Sequence, residues 1–192
     1  DTGSDYGNVT AEKWYLIGDI TNSSSSGIFG KDAGKNNGTV TAINCYVIGN
    51  ITNYNSSGIF GKDAGNNNGT VRAESCYVIG NITARASTGI FGPYSGSSSG
   101  TVTAINCYFE GDINSNNSSG IFGEYSGSSS GSTAVAENCY FKGHLNASNS
   151  SGIFAQYSGS SGGDAVAKNC YFDGDIFKDN SIGIFGNYSG ST

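Results

Sequence analysis

The chain repeats itself about every 31 residues, and this period limits its fold more than any other property. Cys45, Cys76, Cys107, Cys139 and Cys170 fall at steps of 31, 31, 32 and 31, with Trp14 in the equivalent place one unit earlier. The extra residue is absorbed near Ser132. Each of these positions is followed by Tyr (Tyr15, Tyr46, Tyr77, Tyr108, Tyr140, Tyr171), then by Gly18 and its copies, then by Ile20, Ile51, Ile82, Ile113, Leu145 and Ile176. A Ser/Asn-rich stretch leads to Gly-Ile-Phe, a Gly-rich turn follows, and a short Val-Thr-Ala segment returns to the next Cys. A repeat of this length is one supersecondary unit, which buries its apolar side only by stacking on its neighbours.

Helix is excluded as the unit. Its apolar positions are β-branched or aromatic, and Gly, Asn and Ser interrupt every interval. Parity gives the buried face of a short strand: Cys45, Val47, Gly49 and Ile51 are small or apolar in every copy, whereas Ile48 becomes Glu110, Lys142 and Asp173, and Asn50 becomes Asp112, His144 and Asp175. The expected fold is all-β: a parallel β-solenoid of six coils with like residues stacked in register at about 4.8 Å per layer, about 29 Å in all. Residues 1–8 read as the tail of a preceding repeat or a contact between subunits. Residues 9–192 read as one domain with coils at 9–39, 40–70, 71–101, 102–133, 134–164 and 165–192. Its core ladders are the five cysteines, Ile28, Ile59, Ile90, Ile121, Ile153 and Ile184, and Phe29, Phe60, Phe91, Phe122, Phe154 and Phe185. Trp14 is expected to plug the first coil.

Composition alone resembles a disordered linker, with 36% hydrophobic residues and 31 glycines, and only the regular pattern argues for order. A net charge of −6 offers no basic stripe, so nucleic acid is not an expected partner. No apolar run is long enough to span a membrane as a helix. With no Met anywhere, the chain reads as the mature or trimmed product of a longer precursor.

The Gly-Ile-Phe-Gly turn, the Gly-containing spacer and Val-x-Ala-x-x-Cys-Tyr-x-x-Gly-x-Ile together resemble the GLUG-type repeats of large surface proteins, over almost the whole chain. Ser, Thr or Ile182 stands where the first of that family's paired glycines would be, and the Ser/Asn spacer is longer. The resemblance implies a β-solenoid stalk of a secreted or surface-anchored, adhesin-like protein, a scaffold role with no ligand specified.

The five cysteines lack any Cys/His zinc spacing and read as small buried core residues; one or two bridges are the alternative, and no metal is expected. Glu110, Asp112, Lys142, His144, Asp173 and Asp175 form an outward cluster; a carbohydrate-active enzyme would use Asp112, His144 and Asp175, but alternating cross-strand charges explain them as well. Asp32 and Asp63 hint at calcium, yet later coils replace them with Tyr94, Tyr125, Tyr157 and Tyr188. Twelve Asn-x-Ser/Thr acceptors are candidates for N-glycosylation: Asn8, Asn22, Asn37, Asn50, Asn55, Asn68, Asn81, Asn116, Asn117, Asn146, Asn149 and Asn187. The competing reading is that Asn and Ser favour turns.

The expected role is a structural, non-enzymatic and cofactor-free fibre or stalk segment, extracellular or on a cell or virion surface, N-glycosylated and polymerising with itself head to tail so that Thr192 of one copy precedes Val9 of the next. An adhesin segment that binds glycans through its outward ladders is the alternative, and a carbohydrate-active enzyme ranks third.

Overall fold

The computed structural model describes residues 2–191. Asp1 and Thr192, which belong to the expected tail and the expected end-to-end junction, lie outside the described residues. The chain is an all-β solenoid of stacked parallel coils, with no helix among the described residues. Six five-residue strands, β1 (Asn8–Glu12), β3 (Thr39–Ile43), β5 (Thr70–Glu74), β7 (Thr101–Ile105), β9 (Thr133–Glu137) and β11 (Asp164–Lys168), pair in that order into one parallel sheet. Six three-residue strands, β2 (Tyr15–Ile17), β4 (Tyr46–Ile48), β6 (Tyr77–Ile79), β8 (Tyr108–Glu110), β10 (Tyr140–Lys142) and β12 (Tyr171–Asp173), form the second. Three more columns of single parallel bridges, led by Ile20↔Ile51, Ser26↔Ser57 and Phe29↔Phe60, close the rest of each coil.

Register is set by the period. Val40 pairs with Val71, and Tyr46 with Tyr77, at 31-residue offsets. Between β7 and β9 the offset becomes 32, as in Thr101↔Thr133, because the turn at 130–132 takes the additional residue without disturbing either strand.

The corners are built on left-handed backbone. Lys13, Asn44, Ser75, Asn106, Asn138 and Asn169 all have φ of 51–61°, so the chain bends between the long and the short strand of every coil. The strand expected from Cys45 onward is shorter in the structure, Tyr46–Ile48: the chain leaves the bend at Asn44 directly into Cys45, which faces the interior together with Val47 and Ile51. After the short strand comes Gly80 and its equivalents. Gly80 has φ of 149°, and a Cβ there would stand 2.0 Å from the Gly49 carbonyl oxygen, so no other residue fits.

The interior is filled by columns. Phe60, Phe91 and Phe122 stack with centroids 4.9 Å apart, fully buried beside the Val47/Val78/Phe109 and Ile51/Ile82/Ile113 columns. Each coil is too thin to shield its own apolar side chains, so the layers above and below complete the burial.

Candidate functional site

A stacked fold offers chemistry only as columns along its surface or through its interior, so the candidate sites are ladders. The outer face of the short-strand sheet carries a six-membered aromatic one. Tyr15, Tyr46, Tyr77, Tyr108, Tyr140 and Tyr171 stack with centroids 4.7–5.1 Å apart and planes within 7° of parallel. Each interior ring has its two faces against its neighbours, and only edges and hydroxyls reach solvent. Beside them runs Ile17, Ile48 and Ile79 in the first three coils, then Glu110, Lys142 and Asp173. The Tyr140 hydroxyl donates to Glu110 Oε1 at 3.2 Å, and burial together with that carboxylate raises the Tyr140 pKa.

The column that holds Asp112, His144 and Asp175, the residues of the third-ranked enzyme alternative, does a structural job. Asp19 Oδ1 accepts the Asn50 backbone N–H at 2.7 Å; Asn50 does the same for Asn81, Asn81 for Asp112, Asp112 for His144, and His144 Nδ1 for Asp175. Every side chain caps the backbone of the next layer just after the Gly bend. The structure thus brings Asp112, His144 and Asp175 together, with Asp175 Oδ2 3.4 Å from His144 Nδ1. An Nδ1 that accepts a backbone N–H carries no proton of its own, so in that tautomer the carboxylate is a neighbour and not an ion-pair partner.

Sequence reasoning passed over two polar columns inside the solenoid. Ser57, Ser119 and Ser151 are fully buried, and each donates its hydroxyl to the carbonyl three residues on, at Phe60, Phe122 and Phe154. Thr88, in the same column, leaves its Oγ1 without a hydrogen-bond partner. Next to it Ser56, Ser87, Ser118 and Ser150 bridge layers: Ser87 Oγ donates to Asn53 O at 2.9 Å and accepts the Ser56 N–H at 3.3 Å. The signal was present, since two small polar residues precede Gly-Ile-Phe at fixed places in coil after coil while the residues before them vary.

All five cysteines are free thiols, four of them buried and Cys170 half-buried at the last coil. Cys45, Cys76, Cys139 and Cys170 each place the sulfur 3.5 Å from an Ala carbonyl oxygen of the preceding layer. The thiols also interact with one another: contact with Cys107 and Cys170 pulls the Cys139 pKa down, while burial and the same contact push Cys107 up. Burial likewise raises Asp63 and Glu124. Lys31 lies 3.6 Å from Asp32 and 3.9 Å from Asp63, and Lys35 lies 3.2 Å from Asp32, so lysines surround the acids read as a calcium hint.

The sequon asparagines fall into classes that backbone geometry explains. Asn37, Asn55, Asn68, Asn117 and Asn149 have φ of 55–64°, the left-handed region that Asn tolerates best among side-chain-bearing residues. Asn50 and Asn81 belong to the capping column. Asn55 is only 9% exposed, which takes it off the surface that a sugar would need. Asn8, Asn22 and Asn116 are exposed, as are Asn37, Asn68 and Asn81; Asn146 donates to Asn114, and Asn187 to the Asn180 carbonyl.

At the first coil Trp14 is 65% exposed and lines an open concavity with Val9, Ala11, Gly27, Ile28 and Phe29, so the expected plug is not formed. A second concavity at the last coil is lined by Ala165, Phe185, Ser189 and Gly190. No family model matches the chain, and neither a curated protein nor a solved structure matches it.

Proposed function

We propose that the chain is a length of structural rod, a segment of an extracellular stalk or fibre that extends by adding layers end to end. The observation that carries this reading is translational sameness along one axis. Residue after residue meets its own copy one layer away, in both sheets and in all three bridge columns, and the strands keep their bounds from coil to coil. The resemblance to GLUG-type stalk repeats points the same way.

The two end faces support continuation by a second copy. β1 and β2 at one end and β11 and β12 at the other have a partner on one side only. Tyr15, Ile17, Ile176 and Phe185, members of the stacked columns, are exposed there. Head-to-tail docking of identical chains is heterologous and does not close on itself, so it produces a filament. The mutual covering of the Tyr rings weighs against a glycan-binding ladder, because sugars stack on aromatic faces and here the faces are taken. Any N-linked sugar belongs on the exposed Asn8, Asn22, Asn37, Asn68, Asn81 and Asn116 first.

Gly30 supplies the test. A Cβ on Gly30 meets nothing within 4 Å, whereas one on its copy Gly61 would lie 2.7 Å from the carbonyl carbon of Gly30 and the nitrogen of Lys31. Gly30→Val therefore leaves the single chain intact and obstructs only a copy docked on the first coil. Concentrated wild-type protein is expected to form filaments in electron micrographs, with a fibre-diffraction repeat of about 4.8 Å, and Gly30→Val to remain as short particles. Short wild-type particles at every concentration, or filaments from Gly30→Val, would sink the proposal. Intact mass of protein from its native source tests the sugars separately.

A further inference from the structure

The one chemically reactive array that the rod role leaves unused is the column of thiols. We infer that the stacked cysteines are a binding site for soft, two-coordinate divalent cations, with the ion seated between the sulfurs of adjacent layers. Among the described residues no three His, Cys, Asp or Glu side chains converge to hold a metal, so ions that demand tetrahedral cages are not served. An ion that wants two sulfurs in line is served by the stacking itself.

Spacing decides the matter. A metal–thiolate bond is about 2.3 Å, so a linear sulfur–metal–sulfur unit spans about 4.6 Å. Aromatic pairs from the coils of Cys107 and Cys139 stand 4.7 and 4.8 Å apart, which measures the layer spacing at that point. Side chains stand roughly perpendicular to the sheet, so the sulfurs of equivalent cysteines lie one above another, and an ion between two layers sits on the line that joins them. Soft sulfur ligands select such ions over harder competitors. The site is dry: Cys45, Cys76, Cys107 and Cys139 are fully buried among Val, Ala and Phe, and only the half-buried Cys170 opens towards the end of the solenoid.

The charge balance suits a divalent ion. Each ion replaces two thiol protons, which pass to solvent, and the resulting dithiolate complex is neutral, the form that an apolar interior accepts at least cost. No electron is transferred. A sulfur already bonded to the ion above has its second lone pair off the axis, so each thiol serves one ion. Five thiols thus form two pairs and leave one over.

Mercuric chloride is the probe. Added to the reduced, oxygen-free chain, it is expected to give two ions per chain by native mass spectrometry, four protons released, and one thiol reactive after unfolding. No uptake by the folded chain, or five ions with one on each sulfur, overturns the inference. Two double variants with equal numbers of thiols test the pairing. Cys76→Ala with Cys139→Ala leaves no two cysteines adjacent and is expected to bind no ion. Cys45→Ala with Cys170→Ala leaves Cys76, Cys107 and Cys139 in sequence and is expected to bind one. Equal uptake by the two overturns the pairing, given that circular dichroism shows both folded. The single Cys170→Ala variant, altered where the column is least packed, is expected to bind two ions with no thiol remaining; one ion would overturn the assignment even if a double variant fails to fold.

Discussion

The second to fifth coils and the last coil are written in nearly the same residues, yet they live in different environments. Phe91 is fully buried between Phe60 and Phe122, whereas Phe185, with the same neighbours in sequence and one partner at 5.2 Å, is 37% exposed. Cys139 is buried and Cys170 is not; Ile51 is sealed and Ile176 is open. Identical local sequence thus yields a core or a surface depending on whether a layer follows. Most of the burial that stabilises a coil is supplied by its neighbours, as expected of a one-dimensional stack.

The sharpest way to break this comparison is to remove the same ring at both places. Phe91→Ala is expected to cost about 3–5 kcal/mol in denaturant unfolding, from lost burial and the cavity left behind, and Phe185→Ala about 1 kcal/mol. Equal losses would mean that the last coil is already covered, as it would be in a filament, so the measurement belongs with dilute single chains.

A smaller contrast is steric. Gly61→Val is expected to cost about 1–3 kcal/mol through overpacking against the first coil, and Gly30→Val less than about 0.5 kcal/mol. Ala155, buried at the equivalent place in the fifth coil, shows that this column admits a methyl group, and the branched side chain is what should separate the two sites.

Within the interior coils, Thr88 is the one position of its column where a buried hydroxyl makes no bond. Thr88→Ser allows the bond to the Phe91 carbonyl that its neighbours make, and a rise of about 0.5–1 kcal/mol in unfolding free energy is expected. No gain would mean that the threonine methyl contributes more than the missing bond.

The smallest effect is in pH. Burial raises the folded-state pKa of the half-buried turn carboxyls Asp63 and Glu124. In the window between the unfolded and folded values the folded chain holds more protons, so their contribution to stability falls as pH rises through the folded pKa and is recovered on acidification. Glu124→Gln, which keeps an acceptor for the Gln156 amide, should flatten the slope of denaturation midpoint against pH between 7 and 4. An unchanged slope would assign it elsewhere.

The coil length, the register, the stacked Phe and Tyr columns and the outward placement of Ile48 and Glu110 were legible from period and parity, because stacking repeats every choice six times and noise cancels. The corner at Asn44 was not: positive φ there turns the backbone within one residue, and a run such as Ile-Asn-Cys-Tyr-Val has no glycine to announce it. Nor were the buried serines. Ser56 and Ser57 look like spacer by composition, and only their hydrogen bonds across layers reveal that they stand inside. The sequons have a second source for a related reason, since a fold with left-handed corners in every layer recruits Asn for its backbone and so multiplies the number of acceptor triplets. Asp112, His144 and Asp175 were correctly read as neighbours, but that each accepts or completes a backbone bond depends on the kink after the preceding glycine.

The 32-residue coil has an implication for how such rods tolerate change. One added residue at 130–132 is taken up wholly in the outer turn, while Thr133 still meets Thr101 and Phe154 still lies on Phe122. That turn is a splice point: a short foreign peptide inserted there, or in its counterpart on any other layer, would project from the shaft at a height set by the layer chosen, which makes the protein a ruled post on which epitopes can be hung at fixed intervals.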